Sequence, residues 1–490
     1  MKIRRTLISR TVAIATLILL TASGSFAQGN SAFGRSNNSR HSSNAISSLI
    51  IQVENGIDIH QLASQHGFTV GRGVDSTSGF PTYVITGSNL DDLKQVLKSN
   101  GTVKWVANNE KLQVVPLDGG ETVLPLDGGE TVLPLDGGET VLPLGPGIST
   151  VTTKTINDAL KSVLKTLDGG ETVLPLDGGE TVLPLDQIQA AYAKVAGLRV
   201  GSPGLILQPA FGKIGYFGAV LKTTGKGVTI ADLDTGADTC HPALAGIFTY
   251  NFVDDEPNAP ENCPTAATVA GPGFGHGTAV ASLLRILAPE ANVMSLRIFD
   301  STGQADVATV YEAVVWAVQH GAKIINMSFG ATVNSEALRD AVAYASYHNV
   351  LLTGAVGNSN QNAIMYPAAI QPTLGTAATD INDKKTAFSN YNSAVDVSAP
   401  GSNLVAAYPG NRWAIVWGTS YAAPMVAAEG ALTLEAWNSQ NRVSLDSADL
   451  RKVIRYSTDN INLVNPAYVG KLGTGRINMW KAYKLISYNW

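Results

Sequence analysis

The sequence predicts a doubly wound, mostly parallel α/β domain over residues 187–490, preceded by a small α+β domain over 48–115. Three observations carry this. Apolar strand candidates alternate with helical patterns through the long C-terminal part. Residues 48–115 instead follow the order β-α-β-β-α-β, which suggests a ferredoxin-like unit. Between the two, one nonapeptide recurs without variation.

Taken in order, residues 1–10 (MKIRRTLISR) are basic and 11–22 (TVAIATLILLTA) are apolar, and Ser25-Phe26-Ala27 supplies small residues for cleavage. This is the three-part pattern of a secretory signal over 1–27, with an apolar run short for a membrane span. The mature chain is therefore expected to be secreted, soluble and free of the membrane. Residues 28–47 are rich in Ser, Asn and Gly and read as a flexible lead-in. In 48–115, LIIQV, FTVGRGV and TYVITG read as strands and IDIHQLASQHG as a helix. NLDDLKQVLKSNG places Leu90, Leu93 and Leu97 on one helical face, and VKWVANNEKLQVV reads as a single closing strand.

The nonapeptide LDGGETVLP stands at 117–125, 126–134, 135–143, 167–175 and 176–184. Asp-Gly-Gly signals a turn and Glu-Thr-Val-Leu a strand, but a Pro in each unit removes a ladder donor. A flexible acidic spacer over 116–186 is favoured over a meander of tiny strands. Beyond it, strand candidates GVTIADLD, NVMSLRIF, KIINMSF, VLLTGAV, PTLGTAAT and VDVSAP alternate with helical runs at 304–320, 335–348 and 418–437.

Composition narrows the function. At roughly 150 residues per domain, 490 residues suggest about three units. Hydrophobic residues at 44% against 15% charged exclude a disordered chain. A net charge of −5 lacks the basic footprint of a nucleic-acid binder. Two cysteines are too few for a disulfide scaffold or a cysteine-built metal site, although export permits a Cys240–Cys263 bond.

Parallel α/β sheets place chemistry at the carboxyl ends of their strands. GVTIADLD ends at Asp234, the Gly-rich GPGFGHGTAVAS delivers His276 to a helix start, and WGTSYAAPMVAA delivers Ser420 to another. A serine hydroxyl needs a base to take its proton, and the base needs a carboxylate to orient it. A helix N-terminus aims backbone N–H groups at a developing oxyanion, and Asn358, ending VLLTGAVGN, adds an amide donor. Asp232 points to the same strand face as Asp234 and could be a second carboxylate of the site, although a salt-bridge or hydrogen-bond role is favoured. Asp254, Asp255 and Glu256 read as a solvated loop, and His241, His320 and His348 as structural. Asp234-Thr235-Gly236 is also the aspartic-protease signature, but that chemistry needs a second such carboxylate and the sequence has no second copy.

VTIADLDTGADTCHP, GHGTAVAS, INMSFG, GAVGNSN, YPAA, GTSYAAPMVA and the closing GTGRINMWKA resemble, in order, the blocks of the subtilisin-like serine proteases over roughly 214–482. The resemblance implies a secreted serine endopeptidase acting on polypeptides, with Asp234 as orienting carboxylate, His276 as base and acid, and Ser420 as nucleophile. It makes Asn358 the oxyanion donor, Ser328-Phe329-Gly330 one wall of the P1 pocket, and Ala355-Val356-Gly357 the other. Met365 narrows that pocket's floor, and no charge lies in the walls, so apolar P1 side chains are expected. It further implies a zymogen in which 48–115 is a self-cleaved propeptide and intramolecular inhibitor, cut near 115 or near 187–213. A monomer is expected, with no cofactor needed for the chemistry and calcium in a structural role only.

Overall fold

A computed structural model describes residues 47–75, 80–113, 122–124, 208–253, 273–300, 303–332, 334–440, 442 and 444–488. The predicted signal, the lead-in up to residue 46, most of the spacer, Cys263 and the acidic triplet 254–256 lie outside them. Cys240 is disulfide-bonded.

The N-terminal elements are β1 (Leu49–Val53), α1 (Ile59–His66), β2 (Phe68–Asp75), β3 (Thr82–Gly87), α2 (Leu90–Lys98) and β4 (Val103–Asn108). They build an antiparallel sheet of order β2-β3-β1-β4. The Asp58 carboxylate accepts the His60 and Gln61 amides at the start of α1, and Gly67 ends the helix at φ 71. Alternation along β1 divides its side chains. Leu49, Ile51 and Val53 pack with Leu62, Leu93 and Leu97 in the small core, whereas Ile50 faces outward. Two short strands follow, β5 (Lys111–Gln113) and β6 (Thr122–Leu124).

The larger body begins with α3 (Pro209–Lys213) and α4 (Tyr216–Val220), then β7 (Thr229–Asp234), β8 (Phe248–Asn251), α5 (His276–Leu287), β9 (Asn292–Arg297) and β10 (Gln304–Asp306). It continues through α6 (Val307–Gln319), β11 (Ile324–Met327), α7 (Glu336–Tyr347), β12 (Leu351–Ala355), β13 (Leu374–Thr379) and β14 (Val397–Pro400). The hairpin β15 (Leu404–Tyr408) and β16 (Arg412–Val416) leads into α8 (Thr419–Asn438), followed by α9 (Ser447–Tyr456) and α10 (Met479–Tyr488).

Seven parallel strands take the order β14-β13-β12-β11-β7-β9-β8. From β7 the chain adds strands first on one side and then on the other, so the sheet reverses direction at the end of β7. Helices α5 and α8 pack in the apolar cluster on one face, α6 and α7 in the cluster on the other. The predicted helix 304–320 begins only at Val307, because 304–306 is a strand and the Asp306 carboxylate caps the helix at the Thr309 amide, 2.8 Å away.

The single closing strand expected over VKWVANNEKLQVV is two strands. The chain turns at Asn109-Glu110, and β5 leaves the small sheet to pair antiparallel with β10. The break has a physical cause. The Asn109 Oδ1 and the Glu110 carbonyl accept the Ala308 and Val307 amides at 3.1 and 3.0 Å, satisfying the open first turn of α6. Ile50, Val74, Trp105, Ala107 and Leu112 are buried in the same cluster as α6 and α7, and Gln52 Nε2 donates to the Tyr311 hydroxyl at 3.0 Å.

Candidate active site

Asp234 is the last residue of β7 and His276 the first of α5. His276 Nδ1 lies 2.7 Å from Asp234 Oδ1, with both side chains only 1% exposed. Nδ1–H thus donates to the carboxylate, and Nε2 is left with the lone pair in the neutral ring. The Thr235 amide also donates to Asp234 Oδ1 at 2.7 Å, and the Thr235 hydroxyl accepts the Gly277 amide at 3.0 Å. This closeness requires glycine at 277, where a Cβ would lie 2.1 Å from the Gly236 carbonyl oxygen.

Ser420 is the second residue of α8, and the Tyr421 ring beside it lies 5.3 Å from the His276 ring. Pro424 stands four residues on, so it offers no N–H to the Ser420 carbonyl. The Ser328 hydroxyl takes that place, donating to the Ser420 oxygen at 2.7 Å. Asn326 Nδ2 donates to Ser328 Oγ at 2.8 Å and to Asp232 Oδ1 at 2.9 Å, while the Thr353 hydroxyl donates to Asn326 Oδ1 at 3.0 Å. Asp232, Asn326 and Thr353 are register partners on β7, β11 and β12, so a buried polar row crosses the sheet and ends on the backbone of Ser420. Burial, and then the neighbouring Asp234 charge, push the Asp232 carboxyl well above the usual carboxylate range.

Asn358 follows β12. Its Oδ1 accepts the Thr419 amide at 2.9 Å and the Thr419 hydroxyl at 2.8 Å, which fixes the side-chain amide with its NH₂ turned away from Thr419. Met365 lies between the two predicted wall segments. An added Cβ would come within 2.7 Å of Met365 Cβ at Gly330 and within 2.8 Å of its sulfur at Gly357. Ala355 and Val356 are buried at the end of β12, and the Phe329 ring packs edge-on against Phe299, 5.2 Å away. Three further histidines make local contacts. His241 accepts the Ala243 amide and pairs with the Arg412 carbonyl, His320 stacks on Trp316, and His348 packs against Tyr344. Among the described residues no three His, Cys, Asp or Glu side chains gather in metal-binding geometry.

Sequence reasoning passed over Thr419, Asn326 and Thr353. A signal was present, since Asn326 and Ser328 recur at period two inside an otherwise apolar run.

Residues 225–475 match the model of the Subtilase family. Thermitase from Thermoactinomyces vulgaris is 34% identical over 270 residues, covering 53% of this chain and 89% of that protein. Subtilisin Savinase from Lederbergia lenta is 31% identical over 264 residues, covering 52% and 90%. A solved cold adapted subtilisin-like serine proteinase aligns at 29% identity and a TM-score of 0.42, covering 48% of this chain and 84% of that one. Among the described residues no helix is long and apolar enough to cross a membrane. Matched over half its length by the family model, and by thermitase and Savinase over nearly the whole of theirs, this chain belongs to the subtilase family of serine-type endopeptidases.

Proposed function

We propose that the protein is a secreted endopeptidase made as a zymogen, with Asp234, His276 and Ser420 as its catalytic triad. The observation that carries this is the buried 2.7 Å contact between His276 and Asp234 beside the start of α8. His276 Nε2 takes the Ser420 Oγ proton as the oxygen attacks the scissile carbonyl carbon, and Asp234 stabilises the resulting imidazolium through Nδ1–H. The tetrahedral oxyanion receives hydrogen bonds from the Asn358 NH₂ and the Ser420 amide. His276 then protonates the leaving amine, and water hydrolyses the acyl-enzyme by the reverse sequence. Calcium, where bound, has a structural role and no part in these steps. Met365 narrows the pocket between the walls, and the uncharged walls favour apolar P1 side chains.

Residues 48–115 are the inhibitory propeptide in this reading, a ferredoxin-like unit. Its support is the pairing of β5 with β10 and the seating of Asn109-Glu110 on the first turn of α6. Secretion rests on the signal pattern at 1–27. The test is Ser420→Ala, which is expected to abolish casein hydrolysis and to leave a precursor of full length after signal removal. Normal maturation of that variant in a protease-free host would overturn self-cleavage, and normal hydrolysis would overturn the triad.

A further inference from the structure

Strand β6 is the Thr-Val-Leu of the first nonapeptide copy, and it lies antiparallel on β16. The register sets Thr122 opposite Ile415, Val123 opposite Ala414 and Leu124 opposite Trp413. The other edge of β16 is taken by β15, so the repeat completes a three-stranded sheet of order β15-β16-β6. Pro125 follows immediately and has no N–H, which accounts for a strand of three residues at a sheet edge. Backbone pairing of this kind depends on an extended segment of suitable length rather than on its position in the chain. All five copies carry the same Thr-Val-Leu between the same neighbours.

We propose that the outer edge of β16 is a binding site for the Thr-Val-Leu strand of the nonapeptide, open to any of the five copies. The first copy holds it in the full chain because β5 is anchored on β10 only a few residues upstream. Segments joined in one chain meet at effective concentrations on the order of millimolar, so a vacated edge is refilled by another copy without new contacts. The place matters. Ile415, opposite Thr122, stands five residues before Ser420 in the sequence, on the strand that runs into α8. A repeat on this edge therefore pairs with the strand that leads into α8, and the array is a set of interchangeable strands for one edge. The binding site stands whether or not the triad performs chemistry.

The experiment is hydrogen exchange on the β16 amides of the full-length Ser420→Ala chain, without any activity readout. Amides of an antiparallel strand alternate between its two neighbours, so one set reports on β15 and the other on β6. Thr122→Pro with Val123→Pro, in the first copy alone, is expected to leave the β6-facing amides protected because another copy substitutes. The same pair of changes in all five copies should speed exchange of those amides by at least about tenfold, with the β15-facing set unchanged. Adding the peptide Leu-Asp-Gly-Gly-Glu-Thr-Val-Leu-Pro at millimolar concentration should then restore protection. Loss of protection in the single-copy variant would reduce the contact to a tether effect of copy one. Protection surviving in the five-copy variant, or a peptide that restores nothing, would show that the repeats do not bind there.

Discussion

At the scale of single residues, the candidate site depends on groups that orient other groups. Asn358 can present its NH₂ because Thr419 occupies its carbonyl end twice. Removing the amide with Asn358→Ala is expected to lower kcat by about 10²–10³ with KM nearly unchanged, the loss known for one such donor in subtilisin itself. A change confined to KM would mean that the side chain binds substrate uniformly. Asp232 makes a subtler case. Its carboxyl is pushed up by burial and then by Asp234, and it reaches Ser420 through Asn326 and Ser328. Asp232→Asn keeps an acceptor for Asn326, so kcat and the acidic limb of the kcat/KM profile should stay in place. Asp232→Leu removes the acceptor and should lower kcat by about 10-fold through misplacement of the nucleophile. A limb that moves to lower pH in the Asn variant would show that Asp232 carries charge at the His276 titration.

At the scale of elements, α8 shows what a sequence reveals and what it conceals. Its boundaries were legible from the Gly-Thr-Ser start and the long apolar run, and the reversal of the sheet was implied by the strand–helix alternation. Glu429 was not legible as a special position. It is fully buried in this helix and pushed up to about 8 by desolvation, with the Ser457 hydroxyl 3.4 Å from Oε1. Between pH about 4.5 and 8 the native state holds a proton that the unfolded chain has lost, so stability declines as pH rises through that window. Glu429→Gln should flatten the decline and raise Tm most at pH 8 and above, measured as Tm against pH; parallel curves for the two proteins would contradict this. Period and capping place elements, but they cannot reveal which strands lie beside each other. That is why the pairing of β5 with β10, and of a repeat with β16, escaped a reading that treated 103–115 as one strand and the repeats as spacer. The positions proposed for the triad stand out in the sequence because a strand end and two helix starts mark them locally. The row Asp232–Asn326–Thr353 needed the register across three strands.

At the scale of the whole molecule, the small sheet and the body share an apolar contact in which Trp105 meets Tyr311 edge-on at 6.0 Å. Gln52 adds a bond to Asp340 at 3.2 Å, and Arg72 one to the Thr309 hydroxyl at 2.9 Å. Trp105→Ala removes a large buried ring, a change that costs about 3–5 kcal/mol in a packed interior. Under the proposed zymogen reading the expected result is a shorter interval between precursor cleavage and the appearance of activity; an unchanged interval would count against an inhibitory role for this contact.

The order of the central sheet also bears on how the chain reaches this state. Neighbours β7 and β11 are separated in sequence by β8, α5, β9, β10 and α6, so the middle of the sheet closes only after a very large loop has been gathered. Such non-local parallel pairing is slow and leaves unpaired strands exposed in the meantime. The antiparallel unit of β1–β4 draws on much nearer segments and presents a finished apolar surface to α6 and α7, the helices that flank this late junction. A unit built from near segments can form ahead of that junction and offer both helices a surface to pack on.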